Sequence, residues 1–506
     1  MASTQNKVRS SPRLTTAGPR QLRIRMYRHG LGDCFLLRLP REDGATFNVL
    51  IDCGLISVAA NPKPTMQGVV ADIEKVCGGK LDLVVMTHEH WDHVSGFSTE
   101  QAQSEFDKLS IGEVWYAWTE DPKNKLGKKL RDEREAKLRA LNRAVTALQA
   151  RATPLAALRS ERVESLLQFF GGRERGLETT GGLGAAAPVK VGKSRLAFDY
   201  PGKRPGIQVR YCYPNAEPVT FPGVPGIRVY ALGPPEDEGL IKRSAPTKKG
   251  KEVYEFGPDF AVAESLGAAF WRLAMGASSG EGGRDCPFDQ IWARRPELDA
   301  LSADLQGLMD DTWNKAEFDW RKIDDDWTAA AETLALNLDS HTNNTCLVLA
   351  FELVDAGKVL LFAADAQVGN WISWQSTKWS IKDGTATRDV SGPDLLRRCC
   401  FYKVGHHGSH NATLRALGLE QMTSNELVAF IPVFKAHAEK NRWHAMPFAP
   451  LITRLREKTG GRVVFSDDMV NAPAKGDLMG LTAAQSDEFI ARLTTHKDFY
   501  EYSVDL

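Results

Sequence analysis

The segment "LDLVVMTHEHWDHVSGF", Leu81 to Phe97, constrains the chain more than any other stretch. An apolar run stops at Thr87, and His88, His90, Asp92 and His93 follow within six positions. The chain has only 11 histidines in 506 residues, so three of them beside a carboxylate on one turn ask for a chemical reason. Imidazole and carboxylate are the ligands that suit zinc and its divalent neighbours. Alternate residues of an extended segment share a face, so His88 and His90 point to one side. Asp92 and His93 follow as the chain turns toward a helix and reach a second position. The H-x-H-x-D-H spacing is therefore expected to seed two adjacent metal sites. The alternative is three solvated loop histidines.

A dimetal site needs further ligands, ideally from other strand ends. "VLLFAADA" offers Asp365 after a buried strand, in an apolar setting where an unpaired carboxylate is costly. As a ligand bridging two metals its charge is compensated. "FYKVGHHGSHN" offers His406 and His407 after another strand, and "NRWHAMP" offers His444. Asp52, ending the strand "FNVLIDCG", is placed to orient a ligand histidine from behind. In open α/β sheets the C-terminal strand ends are where ligands bind.

Along the chain, residues 1–21 read as a disordered leader. Residues 22–99 alternate strand, turn, strand, helix and strand. Residues 100–190 form a basic helical insertion with Leu138, Leu141, Val145 and Leu148 at helical spacing, closed by the linker "GLETTGGLGAAAP". Strands are expected over 191–235 and a second helical insertion over 236–340, acidic toward its end. Strands and helices return over 341–506, with a C-terminal tail. The simplest architecture is one α/β domain carrying two helical insertions of opposite charge bias, which are expected to pack on each other.

Formal net charge is +0, so no global basic field points to nucleic acid or anionic membrane. No apolar run approaches the eighteen or so residues of a membrane helix, and no membrane partner is expected. The eight cysteines show no C-x-x-C spacing and read as buried free thiols of a reducing compartment, so a cytoplasmic location is expected. The basic segment Lys123 to Arg162 is a candidate for phosphate contacts, against the reading of a solvated helical face. Trp115, Tyr116 and Trp118 read as core rather than as a base-stacking platform.

"THEHWDH" after a buried strand, with "IDCG" upstream, resembles the metallo-β-lactamase superfamily, a four-layer αβ/βα sandwich of mostly hydrolases. "HGLGDCFLL", "VLIDCG", "YALGPP", "NNTCLVL", "VLLFAADA", "YKVGHHGSHNAT" and "NRWHAMP" come in the order of its ComEC-type branch, the soluble hydrolase part of competence proteins that import DNA. The resemblance implies that His88, His90, Asp92, His93, Asp365 and His406 are metal ligands for two divalent ions, zinc by default with manganese or iron as alternatives. It makes His407, Ser409 and His444 candidates for substrate contact or a missing metal position, Lys403 a substrate contact, and Asn344 and Thr345 supports of the site.

Two departures stand out: "AADA" lacks the usual glycine before the bridging carboxylate, and "NRWHAMP" lacks a proline directly after histidine. The superfamily's extra histidine between the cluster and Asp365 is also absent, since His341, the one histidine in that interval, precedes a strand. The first metal is thus left with fewer protein ligands. A glutamate usually stands at the position of His90 in the di-iron oxidoreductases of this fold, so hydrolysis is favoured over redox chemistry.

The implied mechanism is a metal-bridging hydroxide, its pKa lowered toward ~7, attacking phosphorus or carbonyl. Asp92 holds a metal in that scheme, and His407 or His444 protonates the leaving group. The expected substrate is a phosphodiester, nucleic acid or nucleotide. The alternatives are a carbon-ester, thioester or lactone hydrolase of the same fold and a non-catalytic binding or scaffold protein.

Overall fold

Side chains of successive strand residues alternate between two apolar layers. In β2 (Cys34–Pro40), Phe35, Leu37 and Leu39 join one buried cluster while Cys34 and Leu36 join another. In β10 (Lys358–Phe362), Leu360 and Phe362 face that same first cluster, and Val359 and Leu361 face a third. A strand that buries both faces needs cover on both sides, which is the physical origin of a layered sandwich. The computed structural model describes residues 20–56, 62–150, 154–172, 192–243, 302–312, 315, 326–383, 386–440, 446–467 and 470–506. Most of the expected leader, the Gly/Ala-rich linker and much of the second insertion lie outside the described residues.

Among the described residues the first sheet has eight strands. Their spatial order is β16 (Leu493–Thr495), β17 (Phe499–Asp505), β1 (Gln21–Tyr27), β2, β3 (Thr46–Cys53), β4 (Lys80–Val85), β5 (Ser110–Ala117) and β6 (Gln208–Cys212). The second has seven, in the order β15 (Val463–Phe465), β14 (Val428–Ile431), β13 (Cys399–Lys403), β10, β9 (Val348–Leu353), β8 (Val224–Gly233) and β7 (Val219–Phe221). A hairpin, β11 (Lys378–Asp383) and β12 (Ala386–Ser391), stands apart. The sheets share a core that includes Ile24, Val49 and Leu83 from one and Phe351, Phe401 and Phe430 from the other. With helices on the outer faces this is an αβ/βα sandwich.

The end of the chain is no appended tail. β17 runs antiparallel to β1, Gln21 opposite Asp505, and sits inside the first sheet. Residues 191–235 hold a helix besides strands. Helices α1 (Pro62–Cys77) and α6 (Lys193–Lys203) cover the first sheet, with Met66, Val70, Ile73, Ala197 and Phe198 in one cluster. Between them in sequence lie α2 (Trp91–Val94), α3 (Gln103–Phe106), α4 (Lys125–Ala150) and α5 (Pro154–Leu167). Later come α7 (Glu238–Ile241), α8 (Ala303–Thr312) and α9 (Asp326–Asn344).

The two insertions meet through apolar side chains. Leu141, Val145, Val163 and Leu167 of α4 and α5 share a cluster with Leu334, Ala335 and Leu338 of α9. The charges of α4 are used locally: Lys128 pairs with Asp132, Lys129 with Glu238, and Lys242 reaches back to Glu133. Asp310 and Asp311 are exposed on α8, and most of the acidic run beyond them lies outside the described residues. Helix α9 crosses the expected boundary at residue 340, so the second insertion merges into the strand-forming half. Trp115, Tyr116 and Trp118 are buried, as a core reading requires.

Candidate metal centre

Parallel strands end at one place. β3 and β4 run parallel, as do β10 and β13, and the segments leaving all four converge. Thr87, just past β4, donates its backbone N–H to Asp52 Oδ1 at 2.9 Å and its hydroxyl to Oδ2 at 2.6 Å. That hydroxyl, having spent its proton, accepts from His88 Nδ1 at 3.0 Å, which leaves the lone pair on His88 Nε2. His93 Nδ1 donates to Asp52 Oδ2 at 2.8 Å, which turns His93 Nε2 toward Asp365 (3.2 Å) and Asp92 (3.6 Å). Asp52 thus orients two histidines, one directly and one through Thr87.

The residues at the turns adopt conformations that side chains avoid. Asp52 (φ +54°), Ala364 (φ +47°), His406 (φ +40°) and His407 (φ +53°) all lie in the left-handed region. Such residues cost of order 1–3 kcal/mol each and persist where the surroundings dictate them. At Ala364 the strain follows from the missing glycine before Asp365. Ala364→Gly is therefore expected to raise stability by up to about 1 kcal/mol, read from the midpoint of denaturant unfolding.

Asp365 follows that turn. Its Oδ1 accepts the backbone N–H of His406 at 3.1 Å, and its Oδ2 lies 3.9 Å from His88 Nε2. His407 Nδ1 donates to the Pro432 carbonyl at 2.7 Å, placing Nε2 2.7 Å from Asp92 Oδ2. Two groups of ligand atoms result, each mutually within 4.8 Å: Asp92, His93, Asp365 and His407, and His88, His90 and Asp365. They share Asp365.

A third group, Asp33, Asp52 and His93, already faces an internal cation. Lys403 is buried with its ammonium on Asp33, 2.9 Å from the Ala364 carbonyl and 3.5 Å from Asp365 Oδ1. Expected as a substrate contact, Lys403 instead pairs with Asp33 and donates to the Ala364 carbonyl inside the protein.

Of the adjacent histidines, the second reaches the cluster. His406 Nδ1 lies 3.0 Å from Ser409 Oγ and 3.4 Å from Gln367 Nε2, and His406 belongs to neither group around Asp365. His406 was expected as a ligand and His407 as a candidate for a missing metal position, and the left-handed turn brings His407 into the ligand group. Ser409 is accordingly a partner of His406. Asn344 ties α9 to α7 by donating to the Ile241 and Arg243 carbonyls, and it accepts the Asn370 N–H. Thr345 caps the end of α9 on the Thr342 carbonyl. Both act on the scaffold and not on the cluster. His444 lies outside the described residues. Asp33 and Asp339, which no sequence reading singled out, stand at the cluster as well.

Burial pushes His90 down to about 3 and His406 to about 4, and holds His88 well below its usual range, so these rings are neutral with lone pairs available. Burial also opposes charge on His93, but Asp365, Asp33, Asp92 and Asp52 outweigh it and raise that ring. Asp365 is held well below the carboxylate range, because His93, His406 and Lys403 overcome its desolvation. Even so, His88 Nε2, both nitrogens of His90, Asp92 Oδ1, His93 Nε2 and Asp365 Oδ2 are buried without a hydrogen-bond partner. Each such atom costs about 1–3 kcal/mol. Unpartnered nitrogen and oxygen atoms of this number, converging on one spot, fit divalent cations of the zinc, manganese and iron type.

The first insertion walls the cluster. Phe169 and Phe170 set their rings 5.7 and 4.7 Å from that of His90. Glu89, between His88 and His90, is buried on Arg134 of α4 at 2.7 Å and on Arg195 of α6 at 3.3 Å. His407→Ala is expected to lower the number of bound metal ions per chain, and His406→Ala to leave it unchanged. Elemental analysis after dialysis separates the two, and equal losses would return His406 to the ligand set.

Clustered histidine and aspartate at the strand ends of such a sandwich support a metal-dependent hydrolase. Residues 27–188 match the family model of the metallo-beta-lactamase superfamily, which supports membership of that superfamily. The match includes His88 to His93 and the first insertion, and stops before Asp365 and His407. No curated protein matches the chain significantly.

Proposed function

We propose that the protein hydrolyses a phosphodiester at a dinuclear centre. The observation that carries this reading is the pair of ligand groups joined at Asp365. His88, His90 and Asp365 hold one ion in this scheme, and Asp92, His93, His407 and Asp365 the other. Bound there, two divalent ions, zinc by default and manganese or iron as alternatives, would supply Lewis acidity and water of lowered pKa.

The chain's own part is placement. Asp52 and the Pro432 carbonyl fix the rings of His93 and His407 through their Nδ1 protons. Phe169 and Phe170 exclude water from the His90 side. With His407 assigned to a metal, the leaving-group proton falls to His444 in this proposal.

Likeness to the ComEC-type branch favours a phosphodiester over other esters. The basic helix adds little to a polymer site, since Arg134 is committed to Glu89, Lys128 to Asp132 and Lys129 to Glu238. A nucleotide or other small phosphodiester therefore fits better than a long nucleic acid. The phenylalanine wall also suits an apolar acyl or lactone ring, and a carbon-ester hydrolase is the second reading.

A panel of chromogenic phosphodiesters, short oligonucleotides, thioesters and lactones separates these, with Asp92→Ala as control. Turnover of phosphodiesters that Asp92→Ala abolishes is the expected result. Turnover of carbon esters alone selects the second reading, and no turnover with no bound metal points to a binding protein. No helix among the described residues is long and apolar enough to cross a membrane. Seven described cysteines are buried and unpaired, which favours a reducing, cytoplasmic setting.

A further inference from the structure

The two ligand groups are unequal. Three side chains accompany Asp365 in one, Asp92, His93 and His407, and only His88 and His90 in the other. Among the described residues no further histidine joins that group, but helix α9 supplies a carboxylate. Asp339 lies on the buried side of α9 with Ala335, Leu338 and Thr342, and is 7% exposed. Its Oδ2 accepts from Asn343 Nδ2 at 3.2 Å. Its Oδ1 has no hydrogen-bond partner and lies 3.8 Å from His90 Nε2, which also has none.

The charged neighbours do not explain why a carboxylate is tolerated there. Its charged neighbours include the carboxylates of Asp365 and Asp92. A buried acid with a free oxygen beside a free imidazole nitrogen and two further carboxylates is expensive unless a cation joins them.

We propose that Asp339 is a ligand of the metal held by His88 and His90, completing that position from the inserted helix. Each ion is then held by two imidazoles and two carboxylates, Asp365 being common to both. Asp339 stands outside the mutually close set of His88, His90 and Asp365, so ligation draws its carboxylate inward from the Asn343 contact. The mixed nitrogen and oxygen set accepts manganese and iron as well as zinc. This inference rests on the dinuclear reading of the site.

The test uses the full chain, stripped with a chelator and titrated with zinc or manganese alone. Bound ions are counted by elemental analysis, and thermal melting is followed with and without metal. Wild type is expected to hold two ions per chain and Asp339→Asn one, the other weakened beyond the ~10–100-fold typical of a merely supporting residue. Without metal, Asp339→Asn should melt at or above wild type, because an unpaired buried carboxylate has gone. Asp339→Glu, which keeps the charge, should retain both ions, the first more weakly.

Two ions of wild-type affinity in Asp339→Asn would overturn the proposal. So would a loss of metal-free stability with both ions retained, which marks a structural role. A wild type that binds no metal overturns the dinuclear reading itself, and is told apart by its own titration.

Discussion

Replacing Asp365 with alanine is expected to empty both metal positions at once and to abolish turnover. The expectation follows from geometry, since Asp365 is the one residue common to both ligand groups around the histidine turn. A Lewis-acid centre contributes several kcal/mol of transition-state stabilisation, so the loss should be on the order of 10³-fold or more in kcat/KM. The fold should survive, because Lys403 keeps its pairing with Asp33 and its bond to the Ala364 carbonyl. Elemental analysis beside steady-state kinetics checks this. One ion retained, with activity within tenfold of wild type, would mean that the carboxylate is not shared.

The second large effect is on stability. Arg134 is the partner of Glu89 at 2.7 Å and lies 3.5 Å from Glu120, and all three are buried. Removing one member of a buried ion pair leaves a stranded charge and costs about 3–5 kcal/mol. Arg195, which also touches Glu89 and Glu120, keeps the cost of Arg134→Ala near the lower end, at about 3 kcal/mol. Exchanging both partners, Arg134→Met with Glu89→Gln, should recover much of it, since a neutral packed pair replaces the charges. Urea unfolding of the single and double variants measures the difference, and a single-variant loss under ~0.5 kcal/mol would show the network to be inert.

The same network sets an acid limb. Burial alone would raise Glu120, but Arg195 and Arg134 outweigh it and hold the carboxyl at about 2 against an ordinary 4.5. A carboxyl depressed in the folded state adds stability above its ordinary value and loses it as pH falls toward the folded one. The contribution of Glu120 is thus expected to be intact at neutral pH and to fade between about pH 4.5 and 2.

The local pattern made the first half of the site readable. A buried strand ending in H-x-H-x-D-H announces ligands because strand ends are where side chains leave the sheet, and Asp365 follows β10 by the same logic. Asp52 was legible for the same reason. The choice between His406 and His407 was not, because two successive left-handed residues rotate the second ring into the cluster, and no side-chain periodicity reports that turn.

Lys403 looked like a substrate contact because it ends a strand beside the histidines, yet Asp33 at the start of β2 draws it inward. Asp339 was hidden among the acids of a helical insertion. Its signal was its position beside Leu338 on the apolar side of α9, where a carboxylate has no reason to be without a partner. The late pairing of β17 with β1 was equally silent, since a strand whose partner lies at the far end of the chain, Tyr27 opposite Phe499, carries no mark of it in its own sequence.

Diffraction from crystals grown with manganese or zinc, with anomalous data collected at the metal edge, tests the central claim most directly. Two peaks flanking the Asp365 carboxylate are predicted, one against His88 and His90 and the other against Asp92, His93 and His407. A protein that takes up no metal, or whose ions sit away from Asp365, would contradict the account.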